Sequence, residues 1–183
     1  MKSKKHLFIL FIAIIPLFAV SLNVPKSLRS GNDEYFDSTA IKGYHFFLSK
    51  GIHFDSTSNI KLYNEVYTWF GVPYRYGGRS KAGTDCSGFA TQIYKIVYNK
   101  IISGSANDIY QKLKHIKKSE LKEGDLVFFK INRYRISHVG IYLSNNKFIH
   151  ATSWGKSVTI SDLKEAYYSR YYFSAGRIEE KTE

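Results

Sequence analysis

A chain of 183 residues with one cysteine has no intrachain disulfide and no zinc site built on several thiolates to staple it, so packing must hold it together. That cysteine, Cys86, sits in the stretch Thr84-Asp85-Cys86-Ser87-Gly88-Phe89-Ala90. A glycine-rich turn, Tyr76-Gly77-Gly78, and a polar loop, Arg79 to Gly83, precede it. A run with helical spacing follows it to Asn99. Phe89, Ile93, Ile96 and Val97 fall at i, i+4, i+7 and i+8, which predicts one apolar helix face. Thr84 or Asp85 caps the start of that helix. Cys86 then occupies the first turn, where free N–H groups and the positive end of the helix dipole favour an anion, so its thiol is expected to ionise more readily than a free one. A small buried hydrophobe is the competing role for a lone cysteine.

The N-terminus has the order of an export signal. Met1 to His6 is basic, Leu7 to Val20 is apolar apart from Pro16, and Ala19 and Ser21 offer small residues for cleavage. The apolar run is short for a membrane span, which needs about 20 residues. No cysteine follows it to carry a lipid. Residues 1–21 are therefore read as a signal peptide and the mature chain as secreted or periplasmic, with no stable membrane anchor after cleavage. Of the formal charge of +12, three lysines (Lys2, Lys4 and Lys5) belong to the leader, leaving +9 on the mature chain. A cation of that size suits a polyanionic surface such as a bacterial wall. The lysines are scattered rather than clustered, which argues against nucleic acid.

Residues 22–57 mix polar and aromatic residues and are read as an extension or linker; Phe36, Ala40, Tyr44 and Phe47 are spaced for one amphipathic segment. Residues 58–180 form the main domain. Ser58 or Asn59 caps a helix to Phe70 with Leu62, Val66 and Phe70 as its stripe, and Gly71 ends it. A shorter helix runs from about Ala106 to Leu113, and Lys114 to Lys118 is a solvated basic connector. Strands follow: Asp125 to Lys130, Ser137 to Leu143, Lys147 to Thr152, Val158 to Ile160 and Tyr171 to Ile178. Asn145-Asn146 makes a hairpin turn, and a helical turn lies around Leu163 to Tyr167. Helices first and consecutive antiparallel strands afterwards predict an α+β domain.

Period-two alternation places His138 opposite Val139 and Ile141, and His150 opposite Ile149 and Ala151. The hairpin lets both histidines share a face. A cysteine nucleophile needs a base, and the base needs a third group to orient it, so Cys86, His138 and His150 are a candidate catalytic set. Metal binding is the rival use of one cysteine and two histidines. The wide sequence gaps between them fit poorly with the tight local pairs of zinc sites, and neither a metal nor a cofactor is expected.

Five blocks in order and spacing resemble the NlpC/p60 cell-wall cysteine peptidases: Tyr74-Arg75-Tyr76-Gly77-Gly78, Thr84-Asp85-Cys86-Ser87-Gly88-Phe89, Glu123-Gly124-Asp125-Leu126-Val127-Phe128-Phe129, Ser137-His138-Val139-Gly140-Ile141-Tyr142 and Phe148-Ile149-His150-Ala151. The resemblance implies a papain-like fold, with N-terminal helices packed on a small antiparallel sheet. It implies Cys86 as nucleophile, His138 as base and acid, and His150 as the group orienting His138. Tyr76 is implied as a site-lining residue that helps hold the oxyanion, while Asp85 and Ser87 shape the site; their bland roles are a helix cap and a first-turn hydrogen bond. The implied reaction is hydrolysis of amide bonds in peptidoglycan stem peptides or crosslinks by a monomer. An amidase or acyltransferase on the same scaffold and a non-catalytic wall-binding protein are the alternatives. Many relatives carry a Leu-Pro-Arg-Ser-like segment in the substrate groove; here Ser103 to Asp108 lacks the Pro and the Arg.

Overall fold

The computed structural model describes residues 38–132 and 134–179. The expected signal peptide lies outside these residues, as does the first part of the expected extension.

Helix α1 spans Ser38–Ser49. Helix α2 spans Ile60–Trp69, and its N-cap is Asn59, whose Oδ1 accepts the Leu62 N–H at 3.0 Å. The two helices meet through aromatics: Phe47 lies 5.1 Å from Tyr63 and Phe54 4.5 Å from Tyr63, centroid to centroid. Phe47 and Ile52 are buried in the principal core. The stretch read from sequence as a linker thus supplies core side chains from Phe47 onward. The expected stripe of α2 also shifts: Leu62 and Val66 are buried with Tyr63 and Trp69, while Phe70 lies past the helix end and is exposed.

The expected polar loop is a tight two-strand ribbon, β1 (Arg79–Ser80) against β2 (Gly83–Thr84). Helix α3 runs Cys86–Tyr98 and ends at Asn99, whose left-handed φ of 52° closes it. Phe89, Ile93 and Val97 are buried as expected, but Ile96 is exposed. At 100° per residue the buried set Phe89, Ala90, Ile93, Tyr94 and Val97 is centred on a direction about 90° from Ile96. The true face is rotated towards Ala90 and Tyr94, two positions the i, i+4, i+7 count passed over.

Helix α4 (Ala106–Gln111) carries a capping box between Ser105 and Asp108 and stops short of Leu113. The supposed connector then forms a strand, β3 (Lys114–Ile116), paired to the last strand of the chain. It lies at the sheet edge with Lys114 and His115 exposed, and a charged side chain on an edge strand discourages further pairing. Strands β4 (Leu126–Phe129), β5 (His138–Tyr142), β6 (Lys147–Thr152) and β7 (Ser157–Asp162), helix α5 (Ala166–Tyr171) and strand β8 (Tyr172–Arg177) complete the chain. The six-stranded sheet is antiparallel in the order β3-β8-β4-β5-β6-β7. The β5–β6 turn uses Asn145 and Asn146 at φ 50° and 63°, the positive values that a two-residue hairpin turn demands.

Strand alternation gives two cores. Phe128, Val139, Ile141 and Ile149 pack towards the helices. Val127, Phe129 and Phe148 face the other way, under Leu163 and Tyr168 of the β7–α5 segment. The protein is therefore α+β, with helices on an antiparallel sheet. Among the described residues no helix is long and apolar enough to cross a membrane.

Candidate active site

Cys86 is the first residue of α3, and its position is set by Asp85. The Asp85 Oδ1 accepts the Gly88 N–H at 2.7 Å and the Ser87 hydroxyl at 3.1 Å, and its Oδ2 accepts the Gly77 N–H at 2.8 Å. One carboxylate thus caps the helix and ties the Tyr76-Gly77-Gly78 turn to it. The turn lies so close that a Cβ on Gly88 would overlap the Gly78 carbonyl, so glycine is required there. Asp85 and Ser87 hold backbone in place. Tyr76, on the same turn, is 90% exposed. Burial raises the phenol pKa of the less exposed Tyr74, and the neighbouring Cys86 and Asp85 raise it further.

The β5–β6 ladder is short at the end near the thiol. Strands β5 and β6 pair at Ile141 with Ile149 and at Tyr142 with Phe148, and no further towards the start of β5. Continuing that ladder would engage the Val139 N–H. The Val139 backbone lies near the Cys86 thiol and, with the backbone of Ser87 and of Cys86 itself, favours its ionised form.

His138 and His150 lie on the second face of the sheet, beside the same end of the ladder. Their rings are 4.9 Å apart, and His138 Nε2 is 2.7 Å from His150 Nδ1. Phe129 flanks His138, while Phe148 and Tyr168 flank His150. His150 is fully buried; His138 is 7% exposed. Nδ1 of His138 has no hydrogen-bond partner among the described residues and is not one of the buried unpaired atoms, so that edge of the ring faces the opening. The outer nitrogen of His150, Nε2, lies 3.2 Å from Ser161 Oγ and 3.3 Å from Tyr168 OH.

Burial decides the charges. It pushes the Cys86 thiol up to about 11; the three N–H groups oppose that and the Asp85 carboxylate adds to it. Burial likewise pushes His138 down to about 4, opposed by Asp85, and holds His150 well below the ordinary imidazole value, with His138 adding to the effect. Against the expectation of a readily ionised thiol, burial acts more strongly than the backbone N–H groups and shifts the thiol and both imidazoles towards their neutral forms. Among the described residues no three His, Cys, Asp or Glu side chains cluster as metal ligands.

Residues 71–177 match the family model described as the NlpC/P60 family. The chain belongs to the NlpC/P60 family. Its similarity to individual family members is substantial. It is 44% identical over 117 residues to a probable endopeptidase NlpC homolog of Haemophilus influenzae, an alignment covering 64% of this chain and 60% of that protein. It is 40% identical over 119 residues to the murein DD-endopeptidase MepH of Escherichia coli, covering 63% of this chain and 44% of MepH. A crystal structure of an NlpC/P60 family protein from Bacillus cereus superposes with a TM-score of 0.61 at 30% identity, over 67% of this chain and 41% of that one. This NlpC/P60 chain therefore spans about half of the length of these relatives.

Sequence reasoning missed three features of this NlpC/P60 site. The Val139 N–H carries no side-chain signal, and only the end of the β5–β6 ladder exposes it. Ser161 was findable: it pairs with Phe148, and a period-two count puts it diagonally across from His150. Tyr168 comes from a short helix whose docking no local pattern announces.

Proposed function

We propose that this protein is a cysteine endopeptidase of the cell envelope that hydrolyses amide bonds in peptidoglycan. The observation that carries the reading is an imidazole pair joined at 2.7 Å, His138 with His150, whose first member neighbours Val139, the residue whose backbone acts on the Cys86 thiol. Cys86 is the nucleophile and His138 the base: Nδ1 of His138 takes the thiol proton as sulfur attacks the carbonyl carbon. Neutral thiol and neutral imidazole become thiolate and imidazolium with no change in net charge, so the buried site never holds a lone ion. His150 accepts from His138 Nε2–H and stabilises the imidazolium. The Cys86 N–H at the helix start is placed to hold the oxyanion, and loss of such a donor costs on the order of 3 kcal/mol of transition-state stabilisation. His138 then protonates the leaving amine, and water releases the acyl group from sulfur. Tyr76 stands at the rim as a substrate contact, while Asp85 and Ser87 act through the geometry of the helix start.

The Escherichia coli relative's name, murein DD-endopeptidase, supports the D-alanyl–diaminopimelate crosslink as the scissile bond. The basic residue content favours attraction to an anionic wall. The leader-like N-terminus supports action outside the cytoplasmic membrane, as a secreted or periplasmic protein. The test is digestion of purified sacculi by the wild-type chain and by Cys86→Ala, with released muropeptides identified by mass spectrometry. Crosslinked dimers converted to monomers by the wild type alone support the reading. Equal release by Cys86→Ala, or no new peptide ends with the wild type, overturns it.

A further inference from the structure

The hydrogen-bond chain does not stop at the second imidazole, and its direction is a chemical choice. In the neutral pair, the 2.7 Å contact between His138 Nε2 and His150 Nδ1 contains one proton, carried by one ring or the other. If His138 carries it, Nδ1 of His138 is a bare lone pair able to take the thiol proton. His150 must then carry its own proton on Nε2. If His150 carries it on Nδ1, then His138 is protonated on Nδ1 and cannot act as the base.

Two surroundings decide between these states. At the inner end, the backbone of Val139, Ser87 and Cys86 already favours negative charge on the sulfur. Another donor aimed at a protonated thiol gains little, whereas a lone pair gives the S–H its acceptor. At the outer end, Nε2 of His150 is fully buried and meets two hydroxyls, Ser161 Oγ at 3.2 Å and Tyr168 OH at 3.3 Å. A buried imidazole N–H requires an acceptor there, and a hydroxyl oxygen supplies one.

We propose that Ser161 and Tyr168 are positioning residues for catalysis: they accept the Nε2 proton of His150 and so fix both histidines in the tautomers that leave His138 Nδ1 free. The inference rests on the nucleophilic reading of Cys86. During attack the thiol proton moves to His138 Nδ1, and His138 Nε2–H and His150 Nε2–H stay where they are. No proton leaves the chain of groups. Ser161 on β7 and Tyr168 on α5 cover each other's loss, so either hydroxyl alone suffices.

Long-range proton–nitrogen NMR of the histidine rings in the wild-type chain tests this first, and is expected to show both His138 and His150 protonated on Nε2. In Ser161→Ala/Tyr168→Phe, which keeps the phenyl ring in the second core, His150 is expected to shift to the Nδ1-protonated form. A wrong tautomer in a related triad costs about 10⁴ in kcat; here exchange between forms limits the loss to about tenfold, with KM unchanged and alkylation of Cys86 by iodoacetamide slowed in parallel. Each single variant should keep the wild-type tautomer and rate. A wild-type His150 protonated on Nδ1 overturns the proposal. So does a double variant that keeps both tautomer and rate, or one that loses rate with its tautomers unchanged. Should the wild type fail to cut murein, the endopeptidase reading falls, while the tautomers and alkylation rates still decide this one.

Discussion

His138 and His150 are buried as neutral rings, and that choice has a measurable cost in acid. The folded pKa of His138, about 4, lies below its ordinary value of 6.5. Between those values the unfolded chain binds a proton that the folded chain refuses. Stability is therefore fully present above about pH 6.5 and falls as the pH drops towards 4, by about 3 kcal/mol from this residue alone. Urea unfolding at stepped pH should show the loss, and His138→Gln should flatten it; a wild-type profile flat from pH 7 to 4.5 contradicts the buried neutral assignment. The same values shape the rate. In kcat/KM the acid limb should lie near pH 4 and the alkaline limb near the thiol's 11, giving a broad plateau rather than a narrow bell. Gly88→Ala probes a different constraint. Its methyl group would overlap the Gly78 carbonyl, so the turn must move away from the helix start. We expect a destabilisation of about 1–3 kcal/mol and a larger loss of activity, read by thermal unfolding and by hydrolysis rate.

At the scale of elements, the sheet ends are held by unlike devices. At the end away from the site, Arg177 of β8 donates to the Asp125 carboxylate through Nε at 2.6 Å and Nη2 at 2.7 Å, and to the Glu120 carbonyl at 3.0 Å. Asp125 is 3% exposed and also accepts the Lys122 N–H, so it is a buried charge that depends on its partner. Arg177→Ala should cost about 3 kcal/mol, whereas Asp125→Asn with Arg177 intact should cost less; equal small losses in chemical unfolding would contradict the pairing. At the site end, β5 and β6 pair only as far as Ile141 and Ile149 and then separate. Alternation and turn chemistry made the strands, the Asn145-Asn146 hairpin and the shared face of the two histidines legible in the sequence. The splay was not legible, because it arises from how a helix start meets a strand, and no residue type marks it. The rotated face of α3 was hidden for a related reason. Tyr94 sends its hydroxyl to the Gly124 carbonyl at 2.5 Å, so a polar tip on a buried ring was counted outside the apolar face.

For the molecule as a whole, the segment before α2 belongs to the packed body. Phe47 and Ile52 are 1% and 0% exposed, and Phe54 packs against Tyr63. Phe47→Ala should therefore cost about 3–5 kcal/mol, and a chain beginning at residue 58 should unfold at a markedly lower temperature; a truncated chain as stable as the full one would contradict this. The spacing of Phe36, Ala40, Tyr44 and Phe47 points to an amphipathic segment, and α1 occupies Ser38–Ser49, but its packing into the main core was not legible because the partners that bury Phe47 and Ile52 lie on other elements. The net charge acts at the same scale. Sedimentation with sacculi should weaken as salt rises, and salt-insensitive binding would rule out diffuse attraction. The chemistry itself is most directly tested by rapid acid quenching of the wild-type chain during turnover of a crosslinked muropeptide, followed by intact-protein and peptide mass spectrometry. The account predicts a transient adduct equal in mass to the acyl half of the substrate, mapped to Cys86. Turnover with Cys86 unmodified throughout, and retained by Cys86→Ala, would contradict it.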